Sequence, residues 1–317
     1  MKRYVKIICL IVCTLLVLPL VSCRIQNNED KFDAIYSFTD ATGFEVVLRK
    51  KPERVAVLFS SYAQMWKNAG GDIAITVGES VERGFADEDV ILVDSGAGKT
   101  INTELLLSSL PAFVIGSSDI ASHVEAARLL KMSGISVALF KVESFEDYLS
   151  VFKILTDITG NTEAYQEYAQ KVEKEVKSVT ESISEEEKGK KILFMRAGSS
   201  PSSTKAKGTN DHFAAAMLKE LGCVNIADSA PILLDGLSME VIIENDPEYI
   251  FVSTMGNEDA AIKNVNDIIK AEAWQSLTAI KENRLYFLPK ELFQFKPNHL
   301  WGEAYAYLSE ILYDNKN

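Results

Sequence analysis

The chain has 317 residues, a formal net charge of −12 and 47% hydrophobic residues. This length is sufficient for two domains of ordinary size, each with its own hydrophobic core. The acidic charge argues against binding to nucleic acid and against adhesion to anionic lipid headgroups, because both require basic surfaces.

The first 23 residues have the three zones of a bacterial signal peptide. Lys2, Arg3 and Lys6 supply positive charge, and residues 7–20 form an apolar run that is short for a membrane span. The run ends in Leu20-Val21-Ser22-Cys23, which resembles a lipobox, whose cysteine receives a lipid and becomes the first mature residue. We therefore predict that residues 1–22 are a lipoprotein signal peptide and that Cys23 is the lipid anchor. The alternative is an ordinary signal peptide with an incidental cysteine.

Cleavage before Cys23 would leave 30 basic residues (33 − 3) against 45 acidic ones, so the mature chain would be more acidic still. Residues 23–36 are polar and lack periodicity, which predicts a flexible tether. Cys9 and Cys13 leave with the signal peptide, so Cys223 is the one remaining unmodified cysteine. We expect no internal disulfide and a buried, unreactive Cys223.

A first α/β lobe is predicted over residues 37–160. It begins with a hairpin whose turn, Ala41-Thr42-Gly43, places glycine where a positive φ is needed. Strands and helices then alternate, which indicates mainly parallel sheets with right-handed crossovers. The predicted elements are the hairpin strands 37–40 and 44–48, the strands 55–59, 73–77, 90–93, 113–115 and 137–140, and the helices 63–68, 121–133 and 144–159.

Residues 161–187 are predicted to connect two lobes through one long helix over 162–183. Tyr165, Tyr168, Val172 and Val176 recur at helical spacing. Such a helix would span about 33 Å and would act as a rigid connector. A second lobe follows over residues 188–317. Its predicted elements are the strands 191–196, 249–253 and 284–288, the helices 212–221, 264–269 and 298–313, and the loops 197–210 and 289–297.

One short pattern occurs twice, 136 residues apart. Asn102-Thr103-Glu104 followed by Pro111 matches Ser238-Met239-Glu240 followed by Pro247. Each copy contains a helix N-cap residue, a glutamate in the first turn, two apolar turns, a proline and a buried strand. The flanking strand at residue 54 recurs at residue 191. The sequence therefore predicts two similar lobes, each presenting one glutamate at the same place.

Several phrases, in this order, resemble the substrate-binding lipoproteins of ABC importers for iron–siderophores, cobalamin and heme. They are Pro52-Glu53-Arg54-Val55, Gly134-Ile135-Ser136-Val137, Ile158-Thr159-Gly160, Leu221-Gly222-Cys223-Val224-Asn225-Ile226-Ala227 and Ala273-Trp274-Gln275-Ser276-Leu277. The resemblance implies a bilobal protein with a ligand cleft between the lobes. It also implies lipid anchoring at the outer face of the bacterial cytoplasmic membrane. Its partners would be a small-molecule ligand and an ABC permease dimer with its ATPase subunits.

The resemblance further implies that Glu104 and Glu240 dock on arginines of the two permease subunits. The alternative is that both carboxylates only complement a helix N-terminus, worth about 0.3–1 kcal/mol each. A ligand-sensing or metal-complex chaperone lipoprotein of the same fold is the alternative function. The ligand itself, whether an iron chelate, cobalamin or heme, stays open.

The ligand site is predicted at the carboxyl ends of the strands, where ligands gather in parallel sheets. An arginine at a strand end is unusual, and its guanidinium recognises carboxylates, phosphates or the oxygens of a chelate. Loop aromatic residues add flat apolar surface. The predicted ligand-binding residues are Ser61, Tyr62, Ser118, Arg196, Thr254, Phe293, Phe295 and Lys296.

The three histidines lie far apart and form no recognised metal-binding motif, so we predict no protein-only metal site and no resident cofactor. His212 and His299 lie beside predicted cleft loops, and contact with the ligand, for instance as a heme-iron ligand, stays open for both. The sequence contains no nucleophile elbow and no serine or cysteine paired with a base at a recognised spacing. It therefore predicts a binding protein, and an extracellular enzyme remains a remote alternative.

Overall fold

The structure, a computed structural model, describes residues 36–94, 100–228 and 239–314. The predicted signal peptide, Cys23 and the N-cap residue Ser238 lie outside these ranges. No helix within them is both long and apolar enough to cross a membrane.

The N-terminal lobe begins with the predicted hairpin, in which β1 and β2 pair antiparallel and Gly43 has a φ of 79°. A parallel five-stranded sheet follows, with the strand order β5-β4-β3-β6-β7. The elements of this lobe are β1 (Tyr36–Thr39), β2 (Glu45–Leu48), β3 (Val55–Val57), α1 (Ser60–Asn68), β4 (Ile75–Thr76), α2 (Gly78–Glu82), β5 (Ile91–Leu92), α3 (Thr103–Ser108), β6 (Phe113–Ser117), α4 (Ala121–Met132), β7 (Ser136–Phe140) and α5 (Phe145–Thr159).

A nearly continuous helix connects the lobes. It consists of α6 (Thr162–Tyr165), a π-helical turn (Gln166–Gln170) and α7 (Lys171–Glu181). Helix α5 before it begins at a capping box, in which the Ser144 side chain accepts from the Asp147 N–H. It ends at Gly160, whose φ of 76° suits glycine and turns the chain into the connector.

The C-terminal lobe has a second sheet, in which β10, β8, β11 and β12 are parallel and β9 pairs antiparallel with β8. Its elements are β8 (Lys191–Ala197), β9 (Lys205–Ala206), α8 (Phe213–Glu220), β10 (Val224–Asn225), α9 (Met239–Asn245), β11 (Tyr249–Thr254), α10 (Glu258–Ile268), α11 (Glu272–Gln275), α12 (Thr278–Lys281), β12 (Leu285–Phe287), α13 (Lys290–Phe293) and α14 (Trp301–Ser309). The predicted fold class, two α/β lobes with mainly parallel sheets, is confirmed.

The sequence repeat corresponds to a structural repeat. Ala56 pairs with Val114 in the first sheet, and Leu193 pairs with Ile250 in the second, at offsets of 137 (193 − 56) and 136 (250 − 114). The repeat extends to unusual backbone conformations. Leu110 and Asp246, which each precede a proline, have φ values of 49° and 42°. Non-glycine residues seldom adopt this left-handed region.

Two segments differ from their predicted state. The predicted loop 289–297 contains helix α13, and the predicted loop 197–210 contains strand β9. Both elements are too short for periodicity to reveal them, and tertiary contacts form them. Strand β9 pairs with β8 through Met195–Ala206, and the Phe293 carbonyl in α13 accepts from the Ser253 hydroxyl at 2.8 Å.

One hydrophobic cluster extends through both lobes. Trp301, 1% exposed, lies with its ring centroid 5.8 Å from that of Phe145 in the first lobe and 5.8 Å from that of Phe213 in the second. Buried residues of the connector, including Val172 and Val176, belong to the same cluster. The other face of each sheet packs on a separate cluster of its own lobe. The lobes are therefore joined by packing as well as by the connecting helix.

Replacement of Trp301 with alanine should lower the free energy of unfolding by about 3–5 kcal/mol, because it removes the largest side chain at the junction of the lobes. The matched control is Met132→Ala, at a position that is 75% exposed, which should change it by less than about 0.5 kcal/mol. Urea unfolding followed by far-UV circular dichroism measures both. A loss below about 1 kcal/mol for Trp301→Ala would mean that the junction is not tightly packed.

Candidate ligand-binding cleft

A cavity of about 710 Å³ lies between the two lobes at the carboxyl ends of their strands. Phe59 follows β3, Gly198 follows β8 and Met255 follows β11, as expected for ligand sites of parallel sheets. The lining residues are Phe59, Val77, Glu79, Ile120 and Glu143 from the first lobe, and Arg196, Gly198, Ser199, Ser203, Asp211, His212, Phe213, Met255, Gly256, Asn257, Gln294, Phe295 and Lys296 from the second.

Arg196 lies near the end of β8, where its backbone is fixed between Ser253 of β11 and Lys205 of β9. Burial lowers the pKa of its guanidinium, and the charge of Glu143 opposes that shift. Its Nε is buried and has no hydrogen-bond partner among the residues that the structure describes. An unpaired buried donor of this kind is costly, so a bound acceptor at this place would be stabilised.

Lys296 contributes a second cation to the wall. Its Nζ lies 3.0 Å from the Glu143 carboxylate and 5.1 Å from the centroid of the Phe213 ring. Burial lowers the pKa of the Lys296 ammonium, and Glu143 partly offsets this effect. The ion pair joins the first lobe to the second across the cleft.

His212 lines the same wall and is held as a neutral ring. Its Nδ1 accepts from the Ala214 N–H at 3.2 Å, so the side chain caps helix α8. The ring lies 4.8 Å from Phe194 and 4.6 Å from Phe213, centroid to centroid. Burial, together with nearby cations including Arg196, lowers the pKa of His212 well below its usual value.

An aromatic side chain, Phe295, closes one side of the cleft. The Arg83 guanidinium of the first lobe lies 3.7 Å from the centroid of its ring and 3.5 Å from the carboxylate of Glu291. Arg83 also donates to the Ser60 hydroxyl at 3.1 Å. Burial lowers the pKa of Arg83, with Glu291 opposing the shift. These contacts fix the orientation of Phe295 and hold the second lobe against the first.

Three of the eight predicted ligand-binding residues, Arg196, Phe295 and Lys296, line the cleft. The expectation that Tyr62 and Phe293 lie in loops is wrong. Tyr62 lies in the first turn of α1 and packs against Phe59 and Phe140, and Phe293 lies in α13 against Tyr307.

The other three predicted residues are not among those that line the cavity. Ser61 and Thr254 are buried in the lobes, and the Ser118 hydroxyl lies 3.4 Å from the Phe140 carbonyl. The helix that follows a strand packs against the core. Some of the residues after a strand are therefore buried in that helix, and others face the cleft. His299 lies outside the cleft, with its Nδ1 3.2 Å from the Asn68 amide.

Sequence reasoning missed Glu143 and Phe59 on the cleft wall, whereas Met255 belongs to a strand end that it did indicate. Glu143 and Phe59 also follow strands, so the rule that indicated Arg196 covers them. Within the described ranges, no group of three or more His, Cys, Asp or Glu side chains is placed to hold a metal ion.

A sequence profile of periplasmic binding proteins matches residues 55–292, which is more than half of the chain. The chain belongs to the periplasmic binding protein family. Its role is to bind a solute, in agreement with the cavity between the lobes. No curated protein matches the chain significantly.

Solved structures share the fold of this periplasmic binding protein. An ABC transporter substrate-binding protein from Listeria monocytogenes EGD-e has a TM-score of 0.69 at 15% identity, covering 84% of this chain and 100% of that chain. A possible iron-binding, periplasmic solute-binding protein from Staphylococcus epidermidis ATCC 12228 has 0.67 at 19%, covering 83% and 100%. The periplasmic heme-binding protein RhuT from Roseiflexus sp. RS-1 has 0.65 at 18%, covering 83% and 98%. At these identities the likeness shows the fold.

The repeated glutamates of this periplasmic binding protein lie outside the cleft. Glu104 and Glu240 are exposed in the first turns of α3 and α9. Asn102 caps the first of these helices, because its side chain accepts from the Leu105 N–H at 3.0 Å.

His212→Asn should reduce the acid sensitivity of the fold. Asparagine keeps an acceptor for the Ala214 N–H and removes the titrating ring. In the unfolded chain the histidine gains a proton below its usual pKa of 6.5, whereas the buried ring does not. The free energy of unfolding of the wild type therefore falls as pH drops below this value, by up to about 1.4 kcal/mol per pH unit from this group.

Urea unfolding at pH 7, 6 and 5 measures this difference. The wild type should lose more stability than His212→Asn over that range. His123, whose pKa is lowered by burial to about 4, acts in the same direction but is present in both proteins. Parallel stability profiles of the two proteins would show that His212 is not held neutral.

Proposed function

We propose that this chain is the solute-binding lipoprotein of an ABC importer, and that it captures an iron chelate, cobalamin or heme-like ligand for the permease. The observation that carries the proposal is the cavity of about 710 Å³ between the lobes, lined by aromatic side chains and the guanidinium of Arg196. Likeness to solved substrate-binding proteins, one named as heme-binding and one as a possible iron-binding protein, supports this ligand class.

The walls of the cleft favour a bulky ligand with a flat or apolar body and a few polar groups. Its volume lies within the range of about 300–1,000 Å³ that is typical of small-molecule sites. Phe59, Phe295 and Met255 offer apolar surface from both lobes. Arg196 and Lys296 offer charged donors on the same wall, which suit anionic oxygens of a ligand.

The mechanism follows from the way the lobes are joined. The connecting helix and the shared hydrophobic cluster around Trp301 restrict relative motion. We therefore propose that ligand binding closes the lobes only slightly, with the pair Arg83–Glu291 bridging them. None of these groups is assigned a catalytic role.

The proposed setting is the outer face of the bacterial cytoplasmic membrane. Cys23 would carry the lipid anchor, and residues 23–36 would tether the lobes. The partners would be the ligand and a permease dimer with its ATPase subunits, and the acidic chain argues against nucleic acid.

The absorbance spectrum of freshly purified protein tests the ligand class. A Soret band would indicate heme, a corrin spectrum cobalamin, and charge-transfer bands a ferric chelate. When ligand-free protein is titrated with hemin, cyanocobalamin and ferric citrate, it should bind one of these three compounds. Deletion of the gene should abolish uptake of that compound. Binding without any effect on uptake would favour the sensing or chaperone function, and no binding to any class would contradict the proposal.

Docking is proposed for Glu104 and Glu240, which lie at repeated positions on the two lobes. An apolar side chain is exposed close to each glutamate, Leu105 beside the first and Ile243 beside the second. Two carboxylates at a fixed separation, each with adjacent apolar surface, suit two permease arginines. Since neither residue lines the cleft, docking and ligand binding are separable.

Reversal of both charges, Glu104→Arg with Glu240→Arg, should therefore leave ligand affinity within about twofold and strongly reduce uptake. Loss of one partner of a desolvated charge pair costs roughly 2–5 kcal/mol. The matched control is Glu163→Arg, which reverses another exposed glutamate in the first turn of a helix. Uptake assays with membrane vesicles or whole cells measure the effect. Normal uptake by the double variant would contradict docking and would mean that the two glutamates only complement the N-termini of their helices.

A further inference from the structure

Glu143 of the first lobe forms an ion pair with one cation of the opposite wall, Lys296, and acts electrostatically on a second, Arg196. Its Oε1 lies 3.0 Å from the Lys296 Nζ. Its negative charge also opposes the lowering of the Arg196 pKa by burial. Its backbone is held in place, since the Glu143 N–H donates to Asp147 at 2.9 Å within the cap of α5. The side chain itself is 42% exposed. A fixed backbone thus presents a solvated carboxylate to the wall that would receive a ligand.

The charges around this carboxylate are unequal. Two partly or largely buried cations, Arg196 and Lys296, face one carboxylate. The other acidic groups of the cavity wall are hydrogen-bonded within their own lobes, since Glu79 accepts from the Ser60 hydroxyl and Asp211 accepts from the Gly208 N–H. Among the carboxylates of the wall, Glu143 is the one whose charge acts on Arg196 and Lys296. Asp119, near Lys296, lies 3.5 Å from Lys141. The wall therefore has capacity for a further anionic oxygen.

We propose that Glu143 is a specificity-determining residue of the cleft. In the ligand-free protein its carboxylate occupies the position beside Lys296 and near Arg196, and an anionic oxygen of the ligand takes that position on binding. The proposal rests on the proposed function and narrows its ligand class to apolar-bodied molecules that carry a carboxylate or a comparable anionic oxygen. Such a group competes with Glu143 for the two cations. A neutral ligand leaves the Glu143–Lys296 pair in place.

The probe 1-pyrenebutyrate tests this competition without knowledge of the natural ligand, because it joins a flat apolar body to one carboxylate. Its neutral analogue, 1-pyrenebutanol, is the matched control compound. Pyrene fluorescence anisotropy gives both affinities. Glu143→Gln should bind pyrenebutyrate about twofold to fivefold more tightly than the wild type, the range for removal of one partly exposed competing charge. Pyrenebutanol affinity should change by less than about twofold.

Four further variants complete the test. Glu146→Gln removes an exposed charge three residues away, outside the cleft, and should leave pyrenebutyrate binding unchanged. Arg196→Met and Lys296→Met should weaken it. Combination of Glu143→Gln with Lys296→Met should lose most of the gain, because the competition takes place at Lys296. Thermal melting confirms that each variant is folded.

The proposal is overturned if Glu143→Gln leaves pyrenebutyrate affinity unchanged or weaker, or if pyrenebutanol gains equally. It is also overturned if neither the wild type nor Glu143→Gln binds pyrenebutyrate. Failure of the proposed function is a different result: metal chelates would neither bind the protein nor depend on it for uptake, whatever the pyrene series yields.

Discussion

The packing of Trp301 between Phe145 and Phe213 is the contact on which the arrangement of the lobes depends. It makes one hydrophobic cluster out of residues from both lobes and from the connecting helix. In a protein whose lobes meet only through flexible linkers, the walls of a cleft move independently. Here the floor beneath the cleft is close-packed, and close-packed interiors resist deformation. The width of the cleft is therefore set largely by buried side chains and much less by its ligand.

Rigid walls allow the cleft to hold partly buried charges, whose burial would be less favourable in a site with mobile walls. Arg196 and Lys296 are partly buried on one wall, and the buried His212 on the same wall stays neutral. The backbone positions of these groups come from a strand, a short loop and a helix start that tertiary contacts hold in place. Such preorganised donors need little reorganisation when an anionic group arrives, which lowers the cost of binding.

The sequence predicted the parts of this protein that repeat or alternate. The duplicated glutamate phrase correctly indicated two lobes, and strand pairing at Ala56–Val114 and Leu193–Ile250 follows its offset. The site was harder to predict. The rule for strand ends found Arg196, but it could not separate residues that face the cleft from those, such as Tyr62, that enter the core with the next helix. The Glu143–Lys296 contact joins residues 153 positions apart, and no local pattern reports such a pair.

The π-helical turn at Gln166–Gln170 has a consequence for how the two lobes are aligned. A π-helical turn contains one residue more than an α-helical turn, and a single π turn inside an α-helix absorbs that additional residue locally. The residues around the turn keep their contacts: Ala169 and Val172 are buried, and the Tyr168 carbonyl accepts from the Tyr148 hydroxyl at 2.5 Å. The length of the connector can therefore differ by one residue at this point without a change in the relative rotation of the lobes. A homologue that lacked one residue here would continue as a regular α-helix and keep the same two walls facing each other.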